Sequence, residues 1–169
     1  MAGEDKPPRP GEVSLGFDPG AADDARLAFI GRLRTPWRAR ADCPRNGRKT
    51  DAVATVEIDP PFRAALTGIG RFSHLILLYW MDEARRDLVV QVPGHSEGEP
   101  RGTFALRSPV RPNPIALSVV DLLGVDQAAG RLEVRGLDCR DGTPLLDVKP
   151  YFPSVDAWPD ARTDKPGGS

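Results

Sequence analysis

Apolar residues along this chain recur mostly at every second position, the spacing of a half-buried strand, and almost nowhere with helical spacing. Arg131-Leu132-Glu133-Val134-Arg135-Gly136-Leu137 alternates cleanly. Ala52 to Ile58 alternates well enough for a strand, with Val53, Val56 and Ile58 prominent. Ser73 to Met81 is too apolar for a one-sided strand, which predicts a central place in a sheet. Arg26–Arg34, Leu88–Val92, Ile115–Val125 and Leu145–Val148 read as further strands, and Thr103–Leu106 is strand-like. Turn residues punctuate these runs: Thr35-Pro36, Asp59-Pro60-Pro61, the stretch Asp126 to Gly130, and Asp141-Gly142, a hairpin signal that makes Leu145–Val148 a return strand. Phe62 to Leu66 is room for one helical turn. Many short strands with frequent turns predict a mainly β fold, a small single β-barrel with short helical turns. No Gly-x-Gly-x-x-Gly follows a first strand, so a Rossmann-type domain is not expected.

Length and composition narrow the picture. At 169 residues the chain is expected to hold one domain, large enough to bury a core without staples. Residues 1–25, rich in Pro, Gly and charge, read as a weakly structured arm; 26–157 is the expected barrel domain and 158–169 a polar tail. A net charge of −1 gives no global pull on nucleic acid, so RNA binding would need a local patch. Cys43 and Cys139 have neither CxxC spacing nor His partners, which reads as reduced thiols of a cytoplasmic protein with no metal site. The first ten residues lack an apolar core. No apolar run approaches the ~20 residues that span a bilayer, so neither a leader nor a membrane partner is expected.

The stretch with the most chemistry is Gly102-Thr103-Phe104-Ala105-Leu106-Arg107-Ser108-Pro109-Val110-Arg111-Pro112-Asn113-Pro114-Ile115-Ala116-Leu117-Ser118. Three prolines fix their own φ and hold Ser108, Arg111 and Asn113 extended. A stiff loop carrying two guanidiniums and an amide is suited to holding a ligand. It is equally readable as a polyproline-like connector with solvated arginines. A second stretch is locally basic, with Arg32, Arg34, Arg38, Arg40, Arg45, Arg48 and Lys49 against Asp42, and Trp37 among them. That pattern suits phosphate contact with base stacking, or a solvated loop whose arginines pair elsewhere. His74, at the start of an apolar strand, reads more readily as a hydrogen-bonded structural residue than as a catalyst.

The proline stretch resembles the signature of the TsaA-like (TrmO) family. Four more stretches match in order: Ile30 to Trp37, Cys43-Pro44-Arg45-Asn46, Phe72-Ser73-His74-Leu75, and Asp141 to Tyr151. The resemblance implies a TsaA-like (YaeB-like) β-barrel that uses S-adenosyl-L-methionine to methylate N6 of threonylcarbamoyladenosine beside the tRNA anticodon. It implies that the cofactor meets Pro44, Arg45, Asn46, Asp82, Glu83, Arg107, Leu117, Asp141, Gly142, Thr143 and Pro144. Arg107 would face the cofactor carboxylate and Leu117 the adenine. Arg111 and Asn113 are the choices for orienting the acceptor, with Asp138 and Asp141 as candidate bases. Arg34, Trp37, Arg38, Arg40, Arg48 and Lys49 would contact tRNA, and the family implies a homodimer. Asn46 stands where the family usually has Gln, Asp82 where it often has His, and Ala116 where it usually has Gly. Those departures keep open a methyltransferase with another acceptor, or a non-catalytic binding module.

Overall fold

The computed structural model describes residues 7–93 and 99–163. Its strands are β1 (Val13–Ser14), β2 (Gly31–Arg34), β3 (Val53–Ile58), β4 (His74–Trp80), β5 (Leu88–Gln91), β6 (Arg101–Gly102), β7 (Ile115–Asp126), β8 (Arg131–Arg135) and β9 (Thr143–Pro150). Six of them close a barrel in the order β2-β3-β8-β7-β4-β9, and β1-β5-β6 form a small separate sheet. Every pairing in the barrel is antiparallel.

Period-two alternation fills the barrel. Ala54, Val56 and Ile58 of β3, Leu75, Leu77 and Tyr79 of β4, and Leu132 and Val134 of β8 point inward. They meet Leu33, Val120 and Leu145 in one core. The apolar run at 73–81 is central as expected, paired with β7 on one side and β9 on the other. Gly31 lies so close to β3 that a Cβ there would stand 1.9 Å from the Glu57 carbonyl oxygen.

Four expectations need correction or sharpening. Regular pairing of the first strand begins only at Gly31. Residue 30 still bonds irregularly, its amide to Leu145 O and its carbonyl to the Asp59 amide. Thr103–Leu106 is not a strand but a 3-10 turn over Thr103–Ala105. The buried Thr103 hydroxyl donates to Leu88 O and accepts from Gln91 Nε2, and these bonds fold the segment inward. The Asp141-Gly142 turn exists, with Gly142 at φ 81, yet it does not join paired strands. β8 pairs with β3 and β7, while β9 pairs with β2 and β4. Leu137 and Cys139 are buried at the barrel end and carry the chain across it, which separates the two strands. Within the expected arm, β1 pairs with β5 and Pro19–Ala21 form a 3-10 turn.

Candidate functional site

The pairing register gathers the loops of interest at one mouth of the barrel. β2, β4 and β8 end there, and β3, β7 and β9 begin there, because Arg34 lies opposite Thr55, Leu33 opposite Thr143, Trp80 opposite Ile115 and Arg135 opposite Val53. Residues 35–52, 81–87, 107–114 and 136–142 therefore share this end. Every residue that the sequence nominated for cofactor or acceptor lies in these loops or in the first residues of β7 and β9.

The loops are tied to one another. The Gly47 amide donates to Asp138 Oδ2 at 3.3 Å, and a Cβ on Gly47 would stand 1.9 Å from the Gly136 carbonyl oxygen. The other Asp138 oxygen, Oδ1, accepts from the Tyr79 hydroxyl at 3.3 Å, and that hydroxyl also meets Ser118 Oγ at 2.9 Å. Tyr79 is 3% exposed. Burial pushes its phenol well above the ordinary range, so it stays protonated and donates. Asp138 itself is half-buried at the mouth, with both oxygens accepting hydrogen bonds. Thr35 binds the same loop twice, its amide to Asp141 Oδ1 and its hydroxyl to Cys139 O. Burial raises both thiols, Cys139 to about 12, so neither is a ready nucleophile.

The expected cofactor set divides by exposure. Arg45, Asn46, Asp82, Glu83 and Arg107 are exposed at the mouth, and Leu117 is exposed on the outer face of β7; Pro44, Asp141 and Gly142 are half-buried. Thr143 and Pro144 are buried in the barrel wall, and the Thr143 hydroxyl donates to Arg140 O. Glu83 pairs with Arg140 at 2.6 Å, a bridge between the 81–87 and 136–142 loops. Asn46 caps the short turn Gly47–Lys49 by accepting from the Arg48 amide. Arg107 reaches Leu117 O at 3.2 Å, and no acid among the described residues pairs with it.

The proline loop is held from beneath. Arg86 stacks over Trp80, its Cζ 5.3 Å from the ring centre, and donates to Pro112 O, Pro19 O and Asn113 Oδ1. The Arg111 guanidinium faces Thr103 O and Leu106 O at 3.5 Å each. Arg111 and Asn113 thus have partners within the protein as well as access to the mouth. Of the basic stretch, Arg34 is committed to Glu57 at 2.7 Å, while Arg38, Arg40, Arg48 and Lys49 are exposed and Trp37 is half-buried. His74 sits at the opposite mouth, between Ser73 Oγ and Asp121 Oδ1, in keeping with a structural role.

A cleft of about 680 Å³ opens beside this mouth, between Leu106–Val110, β5 and the arm residues Arg9 and Glu12. Among the expected cofactor residues, Arg107 lines it. Tyr79, Ser118, Gly47 and Arg86 were not nominated from sequence. Tyr79 carried a weak signal, as the polar group at the end of an otherwise apolar strand. Gly47 carried none, because its need for glycine comes from a chain segment about ninety residues away.

Residues 32–157 match the family described as tRNA-methyltransferase O N-terminal domain. A probable S-adenosyl-L-methionine-binding protein, VirR, of Rhizobium radiobacter is 49% identical over 128 residues, covering 75% of this chain and 71% of that protein. An S-adenosyl-L-methionine-binding protein of Archaeoglobus fulgidus is 46% identical over 130 residues, covering 77% of this chain and 91% of the relative. A crystal structure of TrmO from Pseudomonas aeruginosa superposes with a TM-score of 0.67 at 38% identity, over 82% of this chain. The present chain spans 61% of that solved chain's length.

Proposed function

The chain belongs to the tRNA-methyltransferase O N-terminal domain family, and from that premise we propose that it is an S-adenosyl-L-methionine-dependent methyltransferase acting on N6 of threonylcarbamoyladenosine beside the tRNA anticodon. The observation that carries this reading is the convergence of the nominated residues, from four separate parts of the chain, on one barrel mouth.

The residues there suit such a cofactor. A sulfonium nucleoside presents a carboxylate, a positive sulfur, ribose hydroxyls and a flat adenine. The mouth offers the Arg107 guanidinium and the carboxylates of Asp82 and Asp138, and Leu117 is exposed beside it on the outer face of β7. When bound, the cofactor supplies an electrophilic methyl group. The protein's part is alignment and proton removal. Arg107 would hold the cofactor carboxylate, for which a guanidinium is suited. Arg86 stiffens the proline loop that carries Arg111 and Asn113 toward the acceptor, and such alignment is worth an effective concentration of about 10⁵ M or more. Asp138, oriented by the Tyr79 hydroxyl and the Gly47 amide, would take the N6 proton as the methyl group passes from sulfur to nitrogen and the neutral thioether leaves. Pro44, Arg45, Asn46, Glu83 and the Asp141-Gly142 turn would complete the cofactor wall, with Thr143 and Pro144 buried behind it. Trp37, Arg38, Arg40, Arg48 and Lys49 face the tRNA backbone, with Arg34 already spent on Glu57.

A homodimer fits the same surface. Ile115, Leu117 and Val119 are 41%, 43% and 39% exposed on the outer face of β7. They pair in register with Trp80, Leu78 and Ile76 of β4, giving one apolar stripe for a second copy.

The test is methyl transfer by purified protein to tRNA with and without the threonylcarbamoyl group, read by nucleoside mass spectrometry. A methyl gain on the modified adenosine alone supports the proposal; modified tRNA left unchanged refutes it.

A further inference from the structure

The segment ahead of residue 32, where the family match begins, is fastened to the rest of the protein at two points. At the first, the Glu12 side chain is 4% exposed. It accepts from the Arg9 amide at 3.0 Å, from the Arg9 guanidinium at 2.7 Å and from the Val92 amide at 3.3 Å. A buried carboxylate with this many donors is a clamp that fixes the arm against the end of β5. The chain then runs along β5, with Val13 opposite Val90 and Ser14 opposite Leu88, and the Leu15 amide donates to Asp87 O at 2.7 Å. That path brings the Pro19–Ala21 turn onto Arg86, the second point. Asp18 caps the turn, its Oδ1 accepting from the Gly20 amide at 2.7 Å. A Cβ on Gly20 would stand 3.2 Å from Arg86 Nη1, so the turn lies tight against the guanidinium.

No residue of 7–22 joins the barrel core, and Val13 and Phe17 are 51% and 66% exposed. The arm is held by hydrogen bonds rather than by apolar burial. Arg86 is the joint between it and the proline loop. Its Nη2 donates to Pro19 O and to Asn113 Oδ1 at 3.2 Å each, and its Nε donates to Pro112 O at 2.6 Å. All three acceptors are neutral, so the fork sets direction rather than cancelling charge. A guanidinium has no acceptor atom, so Asn113 can turn only its carbonyl oxygen to it. The Asn113 Nδ2 is left as a pure donor on an exposed side chain, with no acceptor among the described residues.

We propose that the arm is a strap that positions the proline loop. Steadied by the Asp18-capped turn, Arg86 locks the Asn113 amide with its oxygen inward and its NH₂ outward. The ligand group that meets Asn113 is therefore a lone-pair atom, such as a carbonyl or carboxylate oxygen, and an amino group at that place is rejected. That this ligand is the methyl acceptor rests on the function proposed above. The strap and the set of the amide do not.

Nitrogen-15 NMR of the full chain, without ligand, reads the Asn113 side-chain NH₂ signals. In Asp18→Ala, which removes the cap, both signals shift or broaden. In Asp18→Asn, which keeps a cap oxygen without the charge, they return to their parent positions. Arg86→Ala moves them too, and Asp18→Ala added to it moves them no further. Signals unmoved in Asp18→Ala, or moved further in the double variant, overturn the strap. Asp18→Asn behaving as Asp18→Ala also overturns it, because charge and not the turn would then be acting. Methyl transfer tests the amide. Asn113→Asp keeps an oxygen for Arg86 and deletes the NH₂; it lowers kcat/KM for modified tRNA about tenfold, while calorimetric affinity for S-adenosyl-L-methionine holds. Undiminished transfer overturns the donor role. If the unaltered protein transfers nothing, the function proposed above fails and the acceptor assignment with it, while the NMR measurement still decides the strap.

Discussion

Gly47→Ala is the smallest change that tests how the mouth is assembled. The added methyl would stand 1.9 Å from the Gly136 carbonyl oxygen, 2.5 Å from its carbon and 3.1 Å from the Leu137 carbonyl carbon. All three are backbone atoms, so no side chain can rotate away. The 43–50 and 136–140 segments must part by more than an ångström. Overpacking of this kind costs about 1–3 kcal/mol. Parting also breaks the amide bond to Asp138, a charge-assisted contact at a half-exposed site, adding about 1 kcal/mol. The total of about 2–4 kcal/mol lowers the melting temperature by roughly 4–16 °C for a chain of this size. Scanning calorimetry and urea titration read it, with Gly16→Ala as control, since a methyl there meets nothing within 4 Å. Because the lost bond orients Asp138, transfer should fall further than cofactor affinity. A melting temperature within a degree of the parent protein would show that the two segments do not pack as described.

Other outcomes follow from the same geometry. Arg107→Ala weakens S-adenosyl-L-methionine binding by about 1.5–3 kcal/mol in calorimetry, with no change in melting temperature because the side chain is exposed; unchanged affinity removes Arg107 from the site. Tyr79→Phe deletes a buried hydroxyl that serves both Asp138 and Ser118, and costs about 1–2 kcal/mol of stability by urea titration. It lowers kcat more than KM, and equal effects on both would deny Tyr79 a positioning role. The Arg9 guanidinium holds Glu12 down to about 2 from an ordinary 4.5, so the clamp's contribution is complete above pH 4.5 and drains away as the pH falls toward 2. Amide protection at Val92 and Leu15, taken relative to the intrinsic exchange rate at each pH, should fall as the pH drops through that window and hold steady above it, and protection that is flat across it would sink the Arg9–Glu12 clamp.

Much of the barrel was legible in the chain itself. Alternation at 52–58 and 131–137 states which side of β3 and β8 is dry, and the apolar stretch 75–81 marks β4 as a central strand. The proline loop was legible as a rigid, charged connector because proline restricts φ whatever surrounds it. Local turn chemistry was less informative. Asp141-Gly142 did specify a turn, with Gly142 in the left-handed region, but not the strands it serves. Leu137 and Cys139 gain more by plugging the barrel end than by extending a hairpin, and burial of that kind is a property of the closed barrel. Thr103–Leu106 went the same way, since a strand-like composition yields when a buried threonine hydroxyl finds Leu88 and Gln91.

The sequence, then, determined the strands, the stiff loop and the residue types available for chemistry, because these depend on near neighbours in the chain. Only the tertiary structure, with its closed barrel and its separate β1-β5-β6 sheet, decided which of those residues meet. It set Asp138 between Gly47 and Tyr79, gave Asn113 to Arg86, withdrew Thr143 and Pro144 into the wall, and joined the arm at Glu12 to the end of β5. Each of these joins segments far apart in the chain. Their partners are set by register and by the demand that buried polar groups be satisfied, and neither is written in any local stretch.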